Sequence, residues 1–352
     1  MAKTILGIDI GHDQLKLALV KGTRVLKAVS EPMPENLVKD GGRITSRESM
    51  GELIRNTMKR HSIRANYGAV ALPNDAVFVK NVEMPLMTVE QLEYNLPFEF
   101  KDYITGELRE YVFDYALMSD PIVPEGKRKK GGKNAPPPEP VEGEGEASDT
   151  MELLAVGTQR SVVEDCQEIL RKAGLRLAIT APAMCAYISL IRAQRESLAK
   201  ISDEYGILDL GYEAIRMYMF KGDKHVATRV LEIGLSGLDT VLADLYGVDS
   251  HLAHTYLMSN FENCQEREEC RTAYENIAVE LMRVLNFYRF SNPDSALTDM
   301  WLCGGGAVIR PLAETISDML NIQLHSADEL VPGGEKIDQC NTFAQAIGIA
   351  MG

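Results

Sequence analysis

Residues 7 to 22 read GIDIGHDQLKLALVKG, and residues 208 to 222 read LDLGYEAIRMYMFKG, which sets Asp9 over Asp209, Gly11 over Gly211, Lys16 over Arg216 and Gly22 over Gly222. Each copy is a strand-like run, a tight turn opened by Asp-x-Gly, and a second strand closed by Lys-Gly, so each predicts a β-hairpin. A glycine after the aspartate lets the backbone approach a ligand closely and turn its amide N–H groups toward phosphate oxygens. The aspartate at the strand end is placed to hold Mg²⁺ through water, because magnesium prefers hard oxygen ligands and keeps much of its hydration. One Asp-x-Gly turn is ordinary hairpin chemistry. The same register in two copies asks for more than turn formation.

Composition narrows the partners. At 352 residues and 45% hydrophobic content the chain suffices for about two domains with full cores. Its net charge of -14 repels phosphate backbones and anionic lipid, which excludes a nucleic-acid role. The sequence has no apolar run of about 18 residues, and MAKTILGIDIG passes straight into a strand pattern without signal-peptide features, so a soluble, cytosolic protein is expected. Six cysteines form no CxxC pair and read as buried, reduced thiols.

Strands alternate with amphipathic helices, which predicts mixed α/β layers. Thr45 and Glu48 stand at capping-box spacing before a face of Met50, Leu53, Ile54, Thr57 and Met58. Ser161 and Glu164 repeat that spacing before a helix that Gly174 should stop, and residues 265 to about 290 predict a longer helix closed by SNPD. Its ELMRVLNFYRF stripe reads as core packing. Residues 119 to 150, dominated by proline, glycine and charge, predict a disordered loop between the strand-like EYVFDYALM and TMELLAVGT, with KRKKGGK as a solvated linker.

A third element is DMWLCGGGAVIRPLAETISDML, a strand, the triplet Gly304, Gly305 and Gly306, and an amphipathic helix. Bare backbone near a helix N-terminus can receive a flat base or ribose. It lacks the lysine of a P-loop and the spacing of a GxGxxG turn. The apolar helix FAQAIGIAMG closes the chain.

Two Asp-x-Gly hairpins, the glycine triplet and the Ala-Ile-Gly helix, in this order, resemble the actin-like ATPase superfamily, an α/β, ribonuclease H-like two-domain fold. There, two related domains each contribute a phosphate hairpin and nucleotide lies between them. ALPNDAVFVKNVEMPLMTVEQLEYNLPFEFKDYI, residues 71 to 104, and MELLAVGTQRSVVEDCQEILRKAGL resemble the inserted small α+β subdomain of the type IV pilus assembly PilM and division FtsA families. PilM is the nearer likeness, since no amphipathic tail follows AIGIAMG. The resemblance implies domain I at 1–77, 156–200 and 331–352, an inserted subdomain at 78–155, and domain II at 201–330. It implies ATP contacts at Asp9, Gly11, His12, Lys16, Asp209, Gly211, Gly304, Gly305 and Gly306, with Mg²⁺ at Asp9 and Asp209. It also implies a PilN-like inner-membrane protein whose N-terminal peptide is the partner, membrane attachment only through that partner at the inner face of the plasma membrane, and self-association as an option.

The site departs from the family pattern. His12, Asp13 and Gln14 replace serines, Tyr212 and Glu213 replace small residues, and Ile215 replaces a threonine. A carboxylate near triphosphate costs roughly 4 kcal/mol at about 4 Å and an effective dielectric near 20 unless Mg²⁺ or Lys16 offsets it, so Glu213 is expected either to be compensated or to point outward. Residues 175 to 192 contain no acid, leaving the water-orienting place empty, and His254 and Leu257 stand where a glutamate and a lysine approach the ribose. No catalytic residue is assigned. ATP and Mg²⁺ are expected to be held weakly or lost, with turnover slow or absent. The competing readings are a nucleotide-free scaffold with a degenerate site, an FtsA-like division filament protein, and a small-molecule kinase, which would need the missing acid.

Overall fold

The computed structural model describes residues 3–118, 150–199 and 201–352; the expected loop from 119 lies outside the described residues up to 149. The chain divides into two compact units, Met1–Asp75 with Val163–Gly352, and Ala76–Val162.

The first unit opens with β1 (Thr4–Ile10), β2 (Gln14–Lys21) and β3 (Arg24–Pro32), then short β4 (Val38–Lys39) and β5 (Arg43–Ile44), α1 (Arg47–Arg60) and β6 (Tyr67–Leu72). The second unit, inserted in sequence, holds β7 (Val77–Pro85), α2 (Val89–Asn95), β8 (Tyr111–Leu117) and β9 (Thr150–Gln159) in a three-stranded sheet ordered β7-β9-β8. Both ladders are antiparallel, and Leu117 pairs with Leu153, as the strand-like runs flanking the expected loop require. β9 runs past residue 155 to Gln159. Val82, Met84, Leu92, Leu96, Phe100, Met151, Leu153 and Ala155 form this unit's own core.

From β9 the chain passes directly into α3 (Arg160–Ala173), so Ser161 lies inside the helix and cannot cap it. At α1 the cap is Ser46, accepting from the Ser49 N–H at 3.1 Å, whereas Thr45 Oγ1 donates to the carbonyl of Asn36. Capping-box spacing at Thr45 was thus one residue out of register. Then follow β10 (Arg176–Pro182), α4 (Ala183–Ala193), α5 (Arg195–Leu198), β11 (Glu204–Leu210), β12 (Ile215–Lys221) and β13 (Lys224–Leu231). The remainder is α6 (Leu235–Tyr246), α7 (Ser250–Ser259), α8 (Glu268–Ser291), β14 (Asp299–Cys303), α9 (Arg310–Leu320), β15 (Gln323–Ser326) and α10 (Ala344–Met351).

The repeat proves larger than the hairpin. One sheet runs β3-β2-β1-β6-β10 and the other β13-β12-β11-β14-β15. In each, three strands meander antiparallel and two more join in parallel beside the first. Parallel strands must be buried on both faces. α10 packs on β1, β2 and β6 and against α4, while the second sheet shares a core with α6, α7, α8 and α9. α8 turns Leu281, Leu285 and Tyr288 inward, but Phe287 and Phe290 of the expected packing stripe are exposed. Cys166, Cys264, Cys270, Cys303 and Cys340 are buried free thiols, and Cys185 is half-buried. Among the described residues, no helix is long and apolar enough to cross a membrane.

Candidate functional site

The ladder registers place the repeated residues alike. Asp9 pairs with Lys16 and Asp209 with Arg216, each one step short of the last pair before the turn. At the first turn the Gly11 N–H donates to the Gln14 carbonyl at 3.0 Å. A side chain on Gly11 would meet that carbonyl at 2.9 Å, and one on Gly211 would meet the Ala214 carbonyl at 2.5 Å, so both turns need glycine for closeness.

Both turns face one cavity of about 150 Å³, lined by Asp9, Gly11, His12, Asp209, Gly211 and Arg216 among others. Asp75, Glu213 and Glu232 add three more carboxylates, and Arg216 is the one lysine or arginine among the described lining residues. Such a wall opposes a bare polyanion. Asp9 shows the strain: burial lifts its carboxyl above the ordinary range, Lys16 opposes the rise, and Asp209 adds to it. Burial pulls the other way on Arg216, but Asp209 and its neighbours outweigh that and keep the guanidinium charged. Glu213 is exposed while lining the cavity. The acid-free stretch from 175 to 192 contributes Ala183 to the wall.

Lys16 faces Asp9 across the ladder and is not among the lining residues. The glycine triplet does not line the cavity either. Cys303 pairs with Asp209 across the parallel ladder, and Gly304 then turns at φ +87, ψ 176, against the Asp209 carboxylate and 2.6 Å from the Leu210 carbonyl where a Cβ would be. In this arrangement Gly304 seats Asp209, and Gly306 packs on Leu210 and Leu235.

Several lining residues escaped the sequence reading. Gln345 on α10 donates from Nε2 to Asp9 Oδ1 at 2.8 Å. Its signal was being the lone polar residue of an otherwise apolar helix. Gly41 and Gly42, both at positive φ, bring the loop beside Pro73, and Asn74 Nδ2 donates to the buried Tyr218 hydroxyl at 2.9 Å. Nothing in DGGRIT or LPND marks that convergence locally.

His254 lies between carboxylates: Nδ1 is hydrogen-bonded to Asp239 at 3.0 Å, while Nε2 stands 3.3 Å from Asp13 as an ion-pair contact without hydrogen-bond geometry. Leu257, by contrast, is fully buried core and cannot approach a ribose. Burial alone would lower the imidazole pKa, but Asp13 and Asp239 outweigh it and push it up to about 10. The bound proton therefore stabilises the fold fully below the unfolded value near 6.5, and that stability is lost as pH rises through about 10. His254→Gln should flatten the fall of the thermal unfolding midpoint between those limits; an unchanged slope would count against the pairing.

The family model for the type IV pilus assembly protein PilM matches residues 7–127 and 139–332. A comparison with curated proteins finds no match. Among solved structures, a PilM–PilN type IV pilus biogenesis complex aligns at a TM-score of 0.77 and 23% identity, covering 99% of this chain and 97% of that one. The ethanolamine utilization protein EutJ from Carboxydothermus hydrogenoformans aligns at 0.59 and 14% identity, covering 100% and 89%. These likenesses and the duplicated sheets give the protein an actin-like ATPase fold. By the extent of the family match, the chain belongs to the family of the type IV pilus assembly protein PilM.

Proposed function

We propose that the protein is a cytosolic component of a type IV pilus or related secretion assembly platform, that it binds ATP with Mg²⁺ at the paired hairpins, and that it takes a short N-terminal peptide of a PilN-like membrane protein as its partner. The observation that supports the nucleotide most directly is the convergence of Asp9, Gly11, Asp209 and Gly211 on one cavity. Two carboxylates suit a magnesium ion that keeps several waters. Arg216, opposite Asp209 on its ladder, is the cation that lines the cavity, and Lys16, opposite Asp9, would reach phosphate once the cleft opens. When bound, the metal would offset the acidic wall. The halves 1–77, 156–200 and 331–352 on one side and 201–330 on the other are the proposed domains I and II. Turnover is slow or absent in this reading, since Ala183 and its neighbours offer no carboxylate to orient water. Membrane attachment then runs through the peptide partner.

A nucleotide-free scaffold has a specific observation in its favour. A cavity of about 150 Å³ falls below the roughly 300–1,000 Å³ of small-molecule sites, so a whole nucleotide needs the cleft to open. A thermal shift with millimolar MgATP decides between them, because a ligand at one hundred times its dissociation constant adds about 2.7 kcal/mol to the folded state. A clear shift that Asp9→Ala abolishes, with peptide capture by the variant intact, is the expected result. Absence of any shift in the wild type would select the scaffold. Rapid phosphate release would overturn the slow-turnover reading.

A further inference from the structure

The groups around His254 come from separate parts of the first unit. Asp239 belongs to α6, on the second sheet, and its side chain is 1% exposed. Asp13 belongs to the turn between β1 and β2, on the first sheet, and its side chain is 31% exposed. Tyr212, in the turn between β11 and β12, meets the imidazole edge-on with ring centroids 5.4 Å apart. One arm of the bridge, to Asp239, stays within the second sheet's layer. The other arm, to Asp13, joins that layer to the first sheet. Gly11, His12 and Tyr212, beside these groups in the chain, line the cavity, so the crossing arm lies next to the cavity wall.

We propose that the Asp13–His254–Asp239 bridge is a clasp that holds the cleft closed, and that a nucleoside-bearing ligand reaches Asp9 and Asp209 only when the Asp13 arm breaks. This rests on the nucleotide reading for the ligand but not for the clasp. The closed cavity is too small for a nucleotide. The Asp239 arm, buried and hydrogen-bonded through Nδ1, fixes the imidazole, and the Asp13 arm, an ion-pair contact at 3.3 Å without hydrogen-bond geometry, is the weaker of the two. A protein whose binding-competent state is a minor one shows an affinity reduced by that state's population, so weakening the clasp should strengthen binding.

Two variants separate this from simple charge effects. Asp13→Asn removes a negative charge, which by itself would also favour a triphosphate. His254→Gln removes a positive charge, which by itself would weaken triphosphate binding. If the clasp governs access, both tighten MgATP, by up to about tenfold for a pair worth 1.4 kcal/mol. The clasp is also measured without any nucleotide, by hydrogen exchange at the Gly11 amide, which donates to Gln14, and the Ser236 amide, which donates to Tyr212 at 2.9 Å. Both should exchange faster in either variant. Unchanged exchange at both amides overturns the clasp. Faster exchange with weaker MgATP binding by His254→Gln overturns its role in access. Faster exchange with no MgATP binding by any form keeps the clasp and removes the nucleotide reading.

Discussion

Gly348→Val is expected to lower the thermal unfolding midpoint by several degrees, through a loss of about 3 kcal/mol or more. Gly348 lies in α10 where it crosses α4, and an added Cβ would overlap the Ala186 carbonyl and stand 2.7 Å from its carbon and 3.1 Å from its Cα. Two effects oppose one another. Replacing a helical glycine gains up to about 1 kcal/mol in propensity, most for alanine and less for valine. Overpacking a closed core typically costs about 1–3 kcal/mol, occasionally more, when side chains can adjust. Here the obstacle is backbone, which no rotamer change can move, so the clash prevails and α10 must lift from α4. Because α10 also carries Gln345 to Asp9, the cleft is disturbed with it. Gly348→Ala should show the same sign with a smaller loss. A midpoint equal to or above that of the wild type, followed by circular dichroism, would refute the close approach.

Gly304→Ala should cost about 2–6 kcal/mol and abolish the MgATP shift together. A residue other than glycine at φ +87, ψ 176 pays roughly 1–3 kcal/mol in backbone strain. The new methyl must also displace the Asp209 carboxylate and the Leu210 carbonyl, a further 1–3 kcal/mol or so. Gly222→Ala is the control. Its φ is +59 with nothing within 4 Å of an added Cβ, so it bears strain alone. If the two variants lose the same stability, the packing of the triplet on Asp209 is not what that glycine is for.

These two glycines also show how far local reading reaches. The hairpins were legible because a two-residue alternation and an Asp-x-Gly turn are local patterns, and their recurrence survives whatever surrounds them. Helix positions were legible for the same reason, through periodicity, but their caps were less so. Thr45 and Ser46 are both competent caps, and which one acts depends on the Asn36 carbonyl, brought near Thr45 by the chain's path through β4 and β5. Ser161 matched a capping pattern yet falls within α3, since β9 enters the helix with no intervening loop.

The site divides along the same line. Residues whose role depends on their own turn, Asp9, Gly11, His12, Asp209 and Gly211, were named from sequence and meet at one cavity. Residues recruited from elsewhere were not. Gln345 reaches Asp9 from 336 positions away, and the carboxylates of Asp75 and Glu232 enter through loops with no signature of their own. The strand and bare backbone of the glycine triplet were legible as a local pattern; that the parallel pairing of β14 with β11 sets Gly304 against Asp209 was not.

The amino-acid sequence by itself determined the duplication, the order of the elements and the chemistry available at the turns, because each depends on residues within a few positions of one another. Only the tertiary structure decided which charges share the cavity, which glycines are spaces and which are seats, and that His254 bridges Asp13 to Asp239. Coulombic and steric terms act over a few ångströms of space regardless of separation along the chain, so their balance exists only once the two sheets have brought distant residues together.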